Sequence, residues 1–213
     1  MFGPNTARAV AAAQESGHDL SAVAAAPAAA SGGTVAPARP TPEVNASGRL
    51  RQLIREAEGV LASNRSGFRQ DVFVVVDLAR HSSEQRFFIV ERSTGNVSGY
   101  RTSHGSGSDP RNTGRPQTFS NANNSHQTSV GVYRTAETYS GRHGYSLRLD
   151  GLSGTNSRAR ARAIVIHGAN YVSEAGRRAG RSWGCFALDM RHRTAVIDRI
   201  KNGALLYAPD PNR

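Results

Sequence analysis

The stretch DVFVVVDL at residues 71–78, followed after a polar link by RFFIVER at residues 86–92, decides the architecture. Both runs are short, rich in β-branched and aromatic side chains, and bounded by polar residues. That is the pattern of buried strands, not of a helix. The link over 79–85 is turn-like, so the two runs read as a hairpin. Residues 96–102 supply a third strand, entered through the turn Thr94-Gly95-Asn96. The three together predict an antiparallel meander.

Further strands follow at 130–137, 145–150, 163–167 and 204–208, with Gly141-Arg142-His143-Gly144 turning the chain between the first two. Residues 47–63 predict a helix. Ser47 is a candidate N-cap, and Leu50, Leu53, Ile54, Ala57 and Leu61 recur at helical spacing to give one apolar face. A second helix is expected over 191–202, with Ala195, Val196, Ile197 and Ile200 on its apolar side and Gly203 as its stop. The arginine-rich residues 156–162 are expected to form a short exposed helix. The fold class is therefore mostly β with flanking helices, without the strand–helix alternation of a parallel sheet.

Residues 1–48 have a different composition. They are rich in Ala, Pro and Gly and almost free of large apolar side chains, so they cannot bury enough surface to offset the entropy of ordering. The expectation is a disordered Ala/Pro-rich segment over 1–48, with one short helix at 7–14, and a single domain over 49–209. A signal peptide would need a basic start and an apolar core, and none is visible. Export would then rely on a signal upstream of residue 1 or on another route. No run of about 20 apolar residues is present to span a membrane.

The formal net charge is +11, carried almost wholly by arginine, with Lys201 the only lysine. Such a balance suits an anionic partner, but no nucleic-acid motif accompanies it: no zinc-finger spacing, no aromatic RNA-binding run, no basic helix with heptads. His104, His126, His143 and His167 match no zinc-ligand spacing. Neither a metal nor a cofactor is expected.

The chemistry concentrates near the C-terminal end. Ile164-Val165-Ile166 reads as a buried strand that delivers His167, and Gly180-Arg181-Ser182-Trp183-Gly184-Cys185 is a polar turn carrying the only cysteine. A thiol becomes a nucleophile when a base or cation draws off its proton. His167 is the candidate base and Cys185 the candidate nucleophile. The small Gly184 would let a substrate carbonyl approach the backbone amides of Gly184 and Cys185, the candidate oxyanion donors. Arg181 and Arg177 are expected to hold a substrate carboxylate and to depress the thiol pKa together with His167. Alternatives for the base are His104 and His126, in the long polar loop over 103–128. A loop of that length without elements of its own is usually functional or disordered.

The run His167-Gly168-Ala169-Asn170-Tyr171-Val172-Ser173, followed by the Ser182-Trp183-Gly184-Cys185 turn, resembles the signature of the murein L,D-transpeptidase catalytic domain family, the YkuD-type L,D-transpeptidases. Phe119-Ser120-Asn121, Ser129-Val130-Gly131-Val132-Tyr133 and residues 145–152 (YSLRLDGL) match as well, so the resemblance covers roughly residues 68–208. It departs at Trp183, where the larger family has a second histidine, and at Phe186-Ala187, where Asn or Arg is usual.

The resemblance implies a mixed β-sandwich with the cysteine turn at the sheet edge and a bacterial envelope or periplasmic location. It implies acyl transfer on peptidoglycan stem peptides, centred on meso-diaminopimelate, by a monomer. Cys185 would be the nucleophile and His167 the base, with the Gly168 carbonyl orienting the imidazole. Arg181, Ser182, Trp183, Tyr171 and Arg177 would contact substrate. Hydrolysis of the same acyl-enzyme, as in an L,D-carboxypeptidase, and an inactive wall-binding module remain alternatives. A papain-type protease is disfavoured by the order of Cys and His, and a sortase by their spacing.

Overall fold

A computed structural model describes residues 47–213. Of the segment expected to be disordered over 1–48, residues 1–46, including the helix expected at 7–14, lie outside the described residues, while Ser47 and Gly48 cap and begin the first helix.

The first helix, α1, spans Gly48–Ser63, and Ser47 caps it: its hydroxyl accepts the Leu50 amide at 3.3 Å. Leu50, Leu53, Ala57 and Leu61 form the buried stripe that the spacing predicts. They pack on Phe73, Val75, Phe88, Val90 and Leu205. Each leucine contributes about 1.5–3 kcal/mol by leaving water.

Eight strands follow: β1 (Val72–Val76), β2 (Phe87–Glu91), β3 (Val97–Tyr100), β4 (Gly131–Gly141), β5 (Gly144–Gly151), β6 (Val165–Gly168), β7 (Phe186–Leu188) and β8 (Leu205–Ala208). They form one sheet in the order β3-β2-β1-β8-β4-β5-β6-β7. Pairing is antiparallel except for β1 with β8 and β6 with β7, so the sheet is mixed. Strand β1 is apolar at every position because both of its faces are covered. Phe73 and Val75 face α1, while Val72, Val74 and Val76 join the larger core with Ile166, Phe186 and the second helix. That helix, α2, spans Arg193–Ile200 and buries Val196, Ile197 and Ile200.

The sheet is strongly curled. Helix α2 touches β1 and also β5 and β6, which lie several strands away across the sheet. The segment just past β3, on one edge, hydrogen-bonds to β7, on the other. Thr102 Oγ1 and the Ser103 amide both donate to the Ala187 carbonyl, at 2.9 and 3.1 Å, and the Ala187 amide donates to Ser103 Oγ at 3.1 Å. The two edges therefore meet beside the residue that precedes β7, which is Cys185.

Two readings of the sequence need revision. Residues 156–162 form successive turns instead of a helix. Asn156 is buried and its side chain is tied to the Ser153 amide and the Val132 carbonyl, while Arg160 reaches out to Glu137 and Asp150. These tertiary bonds override the local helical preference. Strand β7 has no counterpart among the expected strands; three residues are too few to show a period.

The loop over 103–128 is tied down along its length. The Gly105 amide donates to Thr128 Oγ1 and the Gly107 amide to the His126 carbonyl. At its base lies a network with no solvent exposure. Arg86 donates to the Thr102 carbonyl at 2.7 and 2.9 Å and to His104 Nδ1 at 2.8 Å, and His104 Nε2 lies 3.3 Å from Asp109 Oδ2. A guanidinium can only donate, so Nδ1 accepts and the His104 proton sits on Nε2, facing the carboxylate.

Candidate active site

Strand β6 carries His167 at its third position, opposite Ser146 on β5 and Ala187 on β7. The imidazole is 2 % exposed. Its Nδ1 lies 3.0 Å from the carbonyl of Gly168. A carbonyl only accepts, so Nδ1 carries the proton and Nε2 is left as the acceptor. One face of the ring is covered by His143, with centroids 4.4 Å apart. Burial, and secondly the neighbouring His143, pull His167 below its usual pKa against the raising effect of the Gly168 hydrogen bond.

Cys185 is half-buried, and its Sγ donates to the Ala163 carbonyl at 3.6 Å. Ala163 itself has φ +52°, a strained value for a residue with a side chain. Desolvation pushes the thiol pKa up, and the Val165 amide and Arg162 guanidinium oppose it without winning. The expectation of a depressed thiol pKa is thus reversed. The arginine whose charge acts on the thiol is Arg162, instead of the expected Arg181 or Arg177.

The turn before Cys185 is built from inside. Ser182 Oγ accepts the Gly184 amide at 3.1 Å and donates to the Cys185 carbonyl at 2.7 Å, while Ser103 Oγ donates to the same carbonyl at 3.2 Å. Gly184 has φ +121°, and a Cβ there would stand 2.6 Å from the Gln127 carbonyl. Only glycine fits this backbone and this close approach. The turn is also stitched to the long loop. The Ser182 amide donates to His104 O at 2.9 Å, and the Ser106 amide to Ser182 O at 2.8 Å.

His167, Cys185, Tyr171, Arg181, Ser182 and Trp183 all line one cleft of about 400 Å³. Arg177 is exposed and lies outside that lining. Gly168 and Gly184 are not in the lining; the Gly168 carbonyl meets His167 Nδ1 and the Gly184 amide donates to Ser182 Oγ. Arg181 is committed to the loop, donating to the carbonyls of Asp109 and Ser106. Tyr171 is 43 % exposed, so partial desolvation, and then the proximity of Cys185, push its phenol only upward from the ordinary value. Trp183 is 72 % exposed and stacks on His126 at 4.5 Å, nearly parallel. His126 thus supports an aromatic surface, and His104 is locked in the buried network; neither of these alternative bases lines the cleft.

Six lining residues are not read as site residues in the sequence: Tyr139, Arg142, His143, Arg162, Ala163 and Val165. In the sequence, Arg142 and His143 mark only a turn, and Arg162 only part of an exposed arginine-rich segment. The cleft wall carries three arginines and two histidines and no acidic residue. A larger cleft of about 680 Å³, beside α1, has neither thiol nor imidazole in its lining. Among the described residues, no three His, Cys, Asp or Glu side chains are grouped to hold a metal ion.

The family described as L,D-transpeptidase catalytic domain matches residues 48–208, most of the chain. The chain belongs to that family. No curated protein matches the sequence. Among solved structures, this L,D-transpeptidase domain is similar to an L,D-transpeptidase from Mycobacterium smegmatis, at 14 % identity and a TM-score of 0.42, covering 66 % of this chain and 59 % of that one. It is similar to the helical cell shape determining protein Pgp2 from Campylobacter jejuni, at 13 % identity and a TM-score of 0.41, covering 72 % of this chain and 55 % of that one. A third is the L,D-transpeptidase from Xylanimonas cellulosilytica, at 16 % identity and a TM-score of 0.38, covering 70 % of this chain and 68 % of that one. The chain thus spans less than two thirds of the length of the first two. Among the described residues, no helix is long and apolar enough to cross a membrane.

Proposed function

We propose that this domain transfers acyl groups between peptidoglycan stem peptides at the bacterial envelope, with Cys185 as nucleophile and His167 as base. The observation that carries the reading is one cleft holding a thiol together with an imidazole whose Nδ1 is fixed to the Gly168 carbonyl, so that Nε2 is an acceptor. The surrounding arginines suit a carboxylated peptide donor.

In this reading both groups rest uncharged. Burial raises the thiol and lowers the imidazole. Attack then requires His167 Nε2 to take the thiol proton as sulfur bonds to the carbonyl between meso-diaminopimelate and D-Ala. The imidazolium returns that proton to the departing D-Ala amine, leaving a thioester. An acceptor amine resolves the thioester to a new amide, and water resolves it to a carboxylic acid. The oxyanion falls to the amides of Gly184 and Cys185; at Gly184 it would take the place of the Ser182 hydroxyl. Trp183 offers an exposed flat wall to the peptide, and Tyr171 a second aromatic surface near the sulfur.

Intact-mass measurement after incubation with a disaccharide tetrapeptide tests the reading. The expected result is an adduct equal to the donor less D-Ala, followed by a cross-linked or trimmed product. An unmodified protein and unchanged substrate would leave a wall-binding module as the better description.

A further inference from the structure

Three guanidinium groups line the cleft, and two of them are already engaged. Arg162 donates to the carbonyls of Ser120 and Gln127 at 2.7 and 2.6 Å, and to the hydroxyls of Ser129 and Ser125 at 2.8 and 3.2 Å. Arg181 holds the carbonyls of Asp109 and Ser106. Arg162 ties the long loop to the turns after β5, and removing it would leave the Ser120 and Gln127 carbonyls without that donor; Arg181 ties the loop to the cysteine turn. The third, Arg142, is different. It is exposed, lines the same cleft, and makes no hydrogen bond or ion pair with any described residue. No carboxylate in the lining competes for it.

Its position is nonetheless well defined. Arg142 and His143 form the two-residue tip joining β4 to β5, between the paired Gly141 and Gly144. Short hairpin loops of this kind leave the strand register little freedom. Gly144 adopts φ +68°, and a Cβ there would stand 2.8 Å from Arg193 Nη1, so the tip sits close against the Arg193 side chain. The neighbouring His143 stacks on the ring of His167. The tip therefore carries one residue against the base and the next, unpartnered, at the cleft.

We propose that Arg142 is the specificity-determining residue that binds a carboxylate of the donor peptide, positioning the scissile carbonyl between Cys185 and His167. The proposal rests on the acyl-transfer reading above. A planar guanidinium matches a carboxylate with two parallel N–H donors, and a lysine in its place keeps the charge but not the fork. The arginines named from sequence for this task, Arg181 and Arg177, are respectively engaged with the loop and outside the cleft.

The test is equilibrium binding of the tetrapeptide ending in meso-diaminopimelyl-D-Ala to the Cys185→Ala protein, which removes turnover. Trp183, the only tryptophan, reports it by fluorescence. The peptide is used as the free acid and with each carboxylate converted in turn to the carboxamide. Adding Arg142→Gln is expected to weaken binding of the free acid by about tenfold to a hundredfold, the range for a hydrogen bond to a charged group. Arg142→Lys should fall between. One of the carboxamides should bind equally well with Arg142 intact and with Arg142→Gln, and which one identifies the carboxylate. Circular dichroism confirms that the variants fold, as an exposed side chain without partners predicts. Binding that ignores Arg142, or a loss of the same size for every carboxamide, overturns the proposal while leaving the acyl-transfer reading intact. No binding of any form of the peptide overturns both.

Discussion

His104 and His167 are both buried histidines, both drawn down in pKa by desolvation, and they occupy opposite roles. His104 is brought to about 3 by burial and by the adjacent Arg86. Both of its ring nitrogens are engaged, Nδ1 by Arg86 and Nε2 by Asp109. It is a brace that fixes the start of the loop on which the cysteine turn rests. His167 has only Nδ1 tied, to a backbone carbonyl, and lines the cleft beside the thiol. In the proposed reading, what separates a brace from a base is the count of free acceptor sites on the ring, which neither burial nor a shifted pKa would reveal.

The largest effect belongs to Cys185. Replacing it with Ala should abolish acyl-enzyme formation, measured by intact mass, while leaving thermal stability nearly unchanged, because its thiol makes one long hydrogen bond. Residual turnover would remove the thiol from the chemistry and the comparison with it.

The two histidines should then dissociate cleanly. His167→Ala should reduce kcat/KM by about 10²–10⁴, the usual contribution of a general base, with a modest change in stability. Disrupting the other site, by Arg86→Met, should instead cost about 3–5 kcal/mol of folding stability in denaturant titration, since it leaves the buried Asp109 carboxylate without its nearby counter-charge and deprives His104 Nδ1 and the Thr102 carbonyl of their donor. If Arg86→Met folded as well as the parent but lost activity, the brace would have to be counted as part of the site.

The same contrast predicts how stability depends on pH. The folded pKa of His104, about 3, is below its unfolded value. The unfolded chain therefore takes up a proton first as pH falls. Stability from this group is present above about pH 6.5 and is lost progressively as pH drops toward 3. Asp109 adds to the loss at the acid end. Burial disfavours its charge, but hydrogen bonds from Thr113 and Gly114 outweigh that and hold its carboxyl down to about 2. Denaturation midpoints measured between pH 7 and pH 4 should fall, and by less in His104→Gln when each protein is referred to its own value at pH 7.

Much of this is legible in the chain. The apolar stripe of α1, the both-sided apolar run of β1 and the strand that ends in His167 are local patterns, set by side chains within a few residues of one another. The closure of the sheet is not. It depends on Thr102 meeting Ala187, 85 positions later, and on β1 pairing in parallel with β8; neither leaves a periodic trace. The cleft is half legible for the same reason. His167 and Cys185 can be read from their turns, whereas Arg142 and Arg162 enter it only because the β4–β5 hairpin and the turns after β5 fold over it. The charge of Arg181 is visible in the sequence, but its engagement with the Asp109 and Ser106 carbonyls is not. A chain beginning at Ser47 keeps the N-cap and every contact named here, and should retain full activity on soluble muropeptides.

The smallest expected effect concerns the resting state of the thiol. Had Cys185 and His167 formed a thiolate–imidazolium pair, alkylation by iodoacetamide would be fast at neutral pH, and His167→Ala would slow it sharply. The geometry argues otherwise. The thiol proton is directed at the Ala163 carbonyl, desolvation raises the thiol and lowers the imidazole, and Arg162 offsets only part of the first effect. In the proposed reading a proton therefore stays on sulfur until a substrate carbonyl arrives. The alkylation rate of the parent protein should climb through a pH above that of an ordinary exposed thiol, with no plateau near neutrality. His167→Ala should leave that profile almost in place, even though it removes most of the acyl-transfer activity. A neutral-pH plateau that disappears in His167→Ala would show a preformed ion pair, and His167 would then differ from His104 in carrying a charge at rest as well as in its open Nε2.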